Sequence, residues 1–533
     1  LSFVVLAGPM TAFAMMIGGP EYFVLGVMAL ALISLASKGE TVKGVVMACL
    51  GLLLGMIGAD AVTGLTYRFA FGLMPLQAGI ETVLGALAIF AVPQLVNMLE
   101  EGGTIAQVAQ IKDSVLGGVR EVLKRPVSIL RGGIIGWLIG VMPALGTSAA
   151  GITAYLVEKK FSKEKDMFGK GSMDGLTAAE VGKGACVLGD GITSLMLGVP
   201  GSVTWAILMA ALIIHGVQPG PRFMTAGVLP YTVFAGLLLW QVAYFVLGLL
   251  FVRQMSRIVY VPNQILAPVV AILCFVGAFV AKNYVYDIWI MVGLGAFAFV
   301  ANRSGYPTVP MILGFILSSL IESNFHQALG VGYGSALIFF ERSISLTLVI
   351  ITVVFLAWPW LSVWIRDRFM KPAGAAAPAS GAEQTVTFAD VLVEQDKPAA
   401  NSELFMSVVV FALLAVFLAT SLSYAPAVRL FPVIVSVVGL VTVVYRFLAT
   451  VRGHKITLPK FTEVFAGSVG GMPWWVTMGL LALYALAVPF LGMLIASVLW
   501  FGAVCCLSGY YRHAGAWRAI GVTLVLIIVL LFG

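Results

Sequence analysis

The stretch Gly140-Val-Met-Pro-Ala-Leu-Gly-Thr-Ser148 puts a proline and two glycines inside an apolar run that is long enough to enter a membrane. A second break, Leu197-Gly-Val-Pro-Gly-Ser202, interrupts the next such run. Each break frees backbone N–H and C=O groups that hydrocarbon cannot satisfy, so breaks are tolerated where the backbone lines a cavity. Discontinuous helices of this kind are typical of the substrate site of a secondary transporter. The two breaks therefore predict an all-α polytopic membrane protein, a helical bundle with broken or re-entrant helices.

Composition supports this class. Of the 533 residues, 60% are hydrophobic and only 10% are charged, whereas soluble domains carry about 25% charged residues. The net charge of +7 is spread over short loops, which fits the positive-inside rule of membrane proteins. We therefore expect the lipid bilayer, and no nucleic acid, as the surroundings of this chain.

Cysteine and histidine usage indicates no cofactor. The five cysteines show no CxxC pairing, and we expect them to be small core residues. Four histidines are too few and too scattered for a metal cluster. His215, beside the second break, is expected to be a helix-end residue and not a ligand.

Apolar runs near the length of about 20 residues that a bilayer requires occur in two groups. A polar stretch rich in Ala, Pro and Gly separates them, and its composition is that of a flexible linker. We therefore predict a large module at 1–368, a cytoplasmic linker at 369–402 and a small membrane module at 403–533. The candidate spans are 1–18, 20–37, 42–59, 72–95, 132–155, 191–214, 224–252, 259–281, 284–301, 307–321, 343–365, 404–423, 431–449, 473–489, 491–510 and 517–533.

Charge placement predicts a hairpin at the first break. The loops 100–131 and 156–190 are both rich in lysine and arginine, so both are expected on the cytoplasmic side. Only the segment 132–155 lies between them. A re-entrant hairpin that turns near Pro143–Gly146 would return the chain to the same side. The alternative is a kinked ordinary span with one basic loop outside.

The breaks carry the candidate substrate chemistry. A helix that starts after Gly146, or after Pro200-Gly201, points unpaired N–H groups and the positive end of its dipole into the turn. Two such ends facing one cavity would bind an anion, most naturally a carboxylate. The candidate substrate-binding residues are Pro143, Gly146, Thr147, Ser148, Gly198, Pro200, Gly201 and Ser202.

Acidic residues in or beside apolar runs are candidates for coupling to an ion, since a charge inside a bilayer is costly. They are Asp60, Glu81, Glu180, Asp190, Asp287 and Glu322. We expect Asp60, Glu81 and Asp287 to lie at span ends in water. Glu180 and Lys183 are three residues apart and would share a helix face and pair. The ion-coupling candidates are Glu180, Lys183 and Asp190.

Several segments of the chain resemble a known family of membrane proteins. The segments that carry this resemblance are Gly19–Phe23, Gly51–Asp60, Arg68–Gly72, Gly140–Tyr155, Phe168–Lys170, Leu197–Ser202, His215–Pro221, Gly305–Pro307, Glu322–Asn324 and Arg342–Ser345. Over about 1–368 the chain resembles the large membrane subunit of tripartite tricarboxylate transporters. Residues 402–533, with Arg429-Leu-Phe-Pro432 and Gly492–Ser497, look like the small membrane subunit, so the chain would be a fusion of the two.

The resemblance implies a secondary transporter of the bacterial inner membrane, driven by Na⁺ or H⁺, that imports tricarboxylates or related organic acids from a periplasmic solute-binding protein. It also implies half of an inverted-repeat transporter, with the first motif-bearing half-repeat missing before Leu1. Three positions depart from the family: Ala144 replaces a usual glycine, Lys183-Gly184 replace two asparagines, and Thr193 replaces a frequent proline.

Two functions other than transport are alternatives. A non-transporting membrane scaffold or channel subunit fits the missing half. An intramembrane enzyme would need a nucleophile–base or metal constellation, and the chain has no HExxH motif, no clustered histidines and no evident partner for Ser148. The sequence therefore favours a transporter and not an enzyme.

Overall fold

The computed structural model describes residues 16–36, 41–60, 64, 67–101, 115–141, 146–162, 164–198, 200–217, 219–220, 223, 226–255, 261–282, 284–369, 400–453 and 473–508. Within these residues almost all regular structure is helical. A small antiparallel pair of strands, β1 (Gly58–Ala59) and β2 (Tyr67–Arg68), is the exception, with Gly58 paired to Arg68. Pro143, the predicted spans 1–18 and 517–533 and most of the linker lie wholly or largely outside the described residues.

The helices follow in chain order and are numbered here as they occur. They are α1 (Gly19–Ala36), α2 (Thr41–Gly55), α3 (Met74–Gln77), α4 (Thr82–Glu101), α5 (Val115–Leu123), α6 (Pro126–Val141), α7 (Gly146–Phe161), α8 (Met173–Ile192), α9 (Val203–Ile214), α10 (Leu229–Met255), α11 (Asn263–Lys282), α12 (Tyr286–Arg303), α13 (Thr308–Val331), α14 (Ile338–Glu341), α15 (Ser343–Phe369), α16 (Ala400–Leu422), α17 (Pro426–Gly453) and α18 (Trp474–Leu507).

Length and composition make this a multi-pass membrane protein. Seven described segments are long and apolar enough to cross a bilayer, within α4, α10, α11, α13, α16, α17 and α18. Several shorter apolar helices accompany them, including α1, α2 and α6. The prediction of an all-α polytopic membrane protein is confirmed.

The central core joins the two predicted modules. In it α1 and α2 pack against α13. Helices α16 and α17 belong to the same apolar cluster and contact α2. Small residues allow the close approach: a Cβ on Gly51 would overlap the Met311 carbonyl, and one on Gly314 would overlap the Ala48 carbonyl. A second apolar cluster holds α4, α11, α12 and α18 together. Helix α18 is kinked at Gly492, whose φ is 76°, close to the predicted boundary between two spans.

The helices α6, α7 and α8 form a separate three-helix unit. Gly132 of α6 meets Ala178 of α8, and Gly140 meets Cys186, so α6 and α8 run in parallel. Helix α7 runs in the opposite direction. This is shown by Arg131, near the start of α6, which pairs with Glu158, near the end of α7, at 2.8 Å. Helices α6 and α7 have 16 residues each, about 24 Å of rise, which is shorter than the roughly 30 Å hydrocarbon core. Helices α6 and α7 are therefore antiparallel, as a hairpin requires, and their two basic ends lie together. That the pair is re-entrant stays a prediction.

Two expectations about this region were wrong. The predicted loop 156–190 contains most of α8, which packs along its length against α6 and α7. Its glycines and alanines give a weak hydropathy signal, yet they permit the close backbone contact that holds membrane helices together. The predicted span 191–214 is not one helix, since it is divided at 198–202 into the end of α8 and the whole of α9.

Candidate functional site

The structure brings both sequence breaks to the same end of α8. At the first break, Gly140 lies against Gly189, and a Cβ on Gly189 would be 2.8 Å from the Gly140 Cα. At the second break, Gly201 lies directly against Asp190, the next residue of α8. Two interruptions that are about 60 residues apart in sequence thus meet within one turn of a single helix.

The first break ends where α7 begins. Gly146 has φ of 76°, and a Cβ there would meet nothing within 4 Å, so glycine is needed for its backbone conformation and not for space. Thr147 is half-buried in the first turn of α7. The backbone of Ser148 continues that turn, while Pro143 lies outside the described residues. Among the described residues, none would contact a side chain at Gly146.

The second break is a tight reversal of the chain. The end of α8 widens into a π-helical turn, Thr193–Leu197, and Gly198 then takes a left-handed conformation with φ of 73°. Gly201 donates its N–H to the Ser194 hydroxyl at 3.3 Å. Ser202 caps α9 by accepting the Trp205 N–H at 3.5 Å. The chain thereby turns back, and the Trp205 indole donates to the Val187 carbonyl of α8 at 2.8 Å.

A third segment closes the site. The N–H of Gly220 donates to the Leu195 carbonyl at 2.9 Å, and a Cβ on Gly198 would lie 3.2 Å from the Pro219 carbonyl oxygen. Pro200 is buried beneath the turn. Around it, apolar side chains from four helices form a small core, consisting of Trp137, Val141, Ile192, Leu195, Met196, Trp205, Phe223 and Phe234.

Asp190 is the acidic residue among the predicted candidates at this site. Its side chain is 1% exposed, and neither carboxylate oxygen has a hydrogen bond of ordinary geometry. The hydroxyls of Thr193 and Ser194 donate to the Asp190 backbone carbonyl instead, at 3.0 and 2.7 Å. A Cβ on Gly201 would collide with the carboxylate oxygen Oδ1. The predicted candidates Asp190, Gly198, Pro200, Gly201 and Ser202 are thus neighbours.

The predicted candidates Glu180 and Lys183 lie elsewhere on α8. They form the expected ion pair, 2.7 Å long, with both side chains about half exposed at 58% and 47%. Glu180 is about 15 Å from Asp190 along the helix axis, by helical rise. Their role in ion coupling stays a prediction that the geometry does not strengthen.

Other predictions about single residues had mixed outcomes. His215 is an exposed helix-end residue after α9, as predicted. The described cysteines are buried except Cys506. The expectation of water was wrong for Asp60 and Asp287, which are each 3% exposed, whereas Glu81 is partly exposed at the start of α4. Asp60 directly follows β1, the first strand of the antiparallel pair.

Sequence reasoning missed the ion pairs that join distant motifs. Arg68 and Glu322 form a fully buried, two-pronged pair, Glu21 pairs with Arg342 at 2.5 Å, and Lys43 pairs with Glu403 at 3.1 Å. The sequence does indicate such pairs, because it places acidic and basic residues within apolar segments. Charged residues in such segments usually pair with one another. Within the described ranges, no group of three His, Cys, Asp or Glu side chains is placed to hold a metal.

Comparison with known proteins gives one family. A family model described as the tripartite tricarboxylate transporter TctA family matches residues 1–313. The chain is similar to an uncharacterized 52.8 kDa protein in the TAR-I ttuC' 3' region of Agrobacterium vitis, with 28% identity over 347 residues, 64% of this chain and 68% of that protein. It is also similar to an uncharacterized protein in the TAR-II ttuC' 3' region of the same organism, with 28% identity over 214 residues, 40% of this chain and 88% of that protein. No solved structure matches.

Proposed function

Because this chain belongs to the tripartite tricarboxylate transporter TctA family, we propose that it is the membrane component of an ion-gradient-driven importer of tricarboxylates or related organic acids. One observation carries the proposal: the two breaks of the sequence meet at the same end of α8. Helices α7 and α9 both begin there, so the N-termini of two helices, with the backbone N–H groups of their first turns, lie in one region.

These helix ends suit a carboxylate. Each presents the positive end of a helix dipole and backbone N–H donors. Thr147 lies in the first turn of α7, and Ser202 is the N-cap of α9, so each helix end also has a hydroxyl. We propose that Pro143, Gly146, Thr147, Ser148, Gly198, Pro200, Gly201 and Ser202 form the substrate site. Neutral donors can release an anion more readily than a buried arginine can, because no buried cation is left behind without a partner.

The remaining parts of the proposal come from the family. The protein would work in the bacterial inner membrane with a periplasmic solute-binding protein, and residues 403–533 would act as a fused small subunit. Na⁺ or H⁺ would drive uptake. Of the coupling candidates, buried Asp190 is better placed than the exposed pair Glu180–Lys183, because ion binding there can be coupled to the neighbouring break.

Uptake of labelled organic acids tests the function. Cells that produce the full chain with its binding protein should accumulate one or more di- or tricarboxylates, and Gly201→Leu should abolish accumulation, because the new side chain would collide with Asp190. Asp166→Asn, an exposed change in a short helical turn, serves as the control.

The same experiment separates the alternatives. Wild-type uptake in the Gly201→Leu variant would show that the second break is not the site. Equilibration of the acid without accumulation would indicate a channel subunit, and no movement of any acid would indicate a scaffold.

A further inference from the structure

Among the described residues, the Asp190 carboxylate has no ion-pair partner. It is 1% exposed, and no described lysine, arginine or histidine forms an ion pair with it. An ionised carboxylate in such a place is costly unless a cation or several donors accompany it. A proton or a bound metal cation would remove this cost.

The described surroundings of Asp190 offer few free oxygen ligands to a metal cation. A hard cation such as Na⁺ takes several oxygen ligands around it. Next to Asp190, the Ser194 hydroxyl already donates to a backbone carbonyl and accepts the Gly201 N–H. The Gly201 backbone also packs beside Oδ1. A proton needs none of the additional oxygen ligands that a metal cation would require.

Few other groups that can ionise face Asp190. Cys186, one turn earlier on α8, interacts with it electrostatically, and the Ser202 hydroxyl is the polar side chain nearest to it from the break. Helices α6 and α9 bring Trp137 and Trp205 to this end of α8, and neither residue titrates. The proton balance of the site is thus governed by Asp190.

We propose that Asp190 carries the coupling proton and that the break at Gly198–Gly201 controls its access to water. The inference rests on the proposed function and adds the identity of the coupling ion. The same segment that offers N–H groups to the substrate also covers the carboxylate. A displacement that admits the substrate would therefore expose Asp190 to water. Protonation would remove a negative charge beside those N–H groups, so it would favour binding of an anionic substrate, and substrate binding would in turn favour protonation.

The step is a simple proton exchange. While the break is displaced, the carboxylate takes one proton from a hydronium ion on the outer side; the O–H bond forms at a carboxylate oxygen, and a water molecule is left. The neutral carboxylic acid crosses with the break closed over it. It returns the proton to water on the inner side, which leaves the carboxylate ready for another cycle.

A test that needs no transport is the unfolding temperature of purified full-length protein in detergent. Asp190→Asn imitates the neutral acid in size and charge, so we expect it to unfold at the wild-type temperature at neutral pH. Na⁺, compared with choline at equal ionic strength, should leave the wild-type value unchanged. A rise with Na⁺ in the wild type that is lost in Asp190→Asn would overturn the proposal in favour of a sodium site.

A second test uses vesicles loaded with the substrate acid. Asp190→Asn should keep exchange of internal for external substrate but lose accumulation driven by a pH gradient by at least an order of magnitude, while Asp166→Asn should keep both. Gradient-driven accumulation in Asp190→Asn would overturn the proton assignment. If the wild type moves no organic acid, the proposed function fails, and the unfolding comparison still decides how Asp190 is neutralised.

Discussion

At the scale of single residues, the two glycines that open the half-helices are needed for different reasons. Gly146 has a left-handed backbone in open space, whereas Gly201 lies against a carboxylate. An added methyl group therefore strains the backbone at the first position and causes a collision at the second. The two breaks look alike in sequence, but they are constrained by different physics.

Substitutions at Gly146 test this difference. Gly146→Val should lower transport and folded yield, because a left-handed conformation costs roughly 1–2 kcal/mol in residues with a Cβ and more in branched ones. Gly146→Asn should recover most of both, since asparagine tolerates that conformation. Yield is measured by size-exclusion chromatography and transport by uptake. If valine and asparagine behave alike, the backbone conformation is not the constraint.

At the scale of elements, glycine spacing sets how α6 meets α8. Gly132, Gly136 and Gly140 recur every four residues and so lie on one face of α6. Each packs against the backbone of α8, at Ala178, Gly182 and Cys186 in turn. Such contacts replace the hydrophobic effect, which does not drive association between helices inside lipid. They also fix the position of both breaks relative to Asp190.

A matched pair of alanine variants tests that contact. Gly136→Ala would push a methyl group into the Gly182 carbonyl, whereas Gly133→Ala would place it 3.7 Å from a Val181 methyl, an ordinary contact. We expect Gly136→Ala to lower the unfolding temperature in detergent by several degrees, as overpacking costs about 1–3 kcal/mol. Gly133→Ala should have little effect. Equal values for the two variants would argue against a tight α6–α8 interface.

At the scale of the whole molecule, buried polar contacts attach the second module to the first. Lys43 of α2, which is 0% exposed, pairs with Glu403 of α16 at 3.1 Å. Arg446 and Thr450 of α17 contact the same carboxylate at 2.8 and 3.0 Å. Tyr306 adds a buried hydrogen bond to Ser407, 2.7 Å long. Glu403 is the first residue of the predicted small membrane module. The contacts that attach this module to the large module therefore do not involve the linker.

Cleavage of the linker tests this arrangement. With a protease site inserted between Phe369 and Ala400, the two cut fragments should co-purify in mild detergent. Glu403→Gln should weaken their association strongly, because it leaves two cations close together without the anion they share. Lys43→Met should be milder, since Arg446 and Thr450 still hold Glu403. Separation of the wild-type fragments after cleavage would contradict a stable contact between the two predicted modules.

The sequence by itself determined the class of the protein, the two breaks, the hairpin and the family. These follow from local properties: the hydrophobicity that a bilayer demands, the backbone effects of glycine and proline, and the sign of the loop charges. Hydropathy failed at α8, because its many small residues contribute little to hydrophobicity but much to close packing.

Only the tertiary structure decided which residues meet. It placed both breaks at one end of α8, buried Asp190 under Gly201, left Glu180 and Lys183 at the surface, and paired Arg68 with Glu322 across 254 positions of sequence. The physical reason is that burial and charge pairing depend on how helices that are far apart in the chain pack together. No single segment carries that information in its own composition.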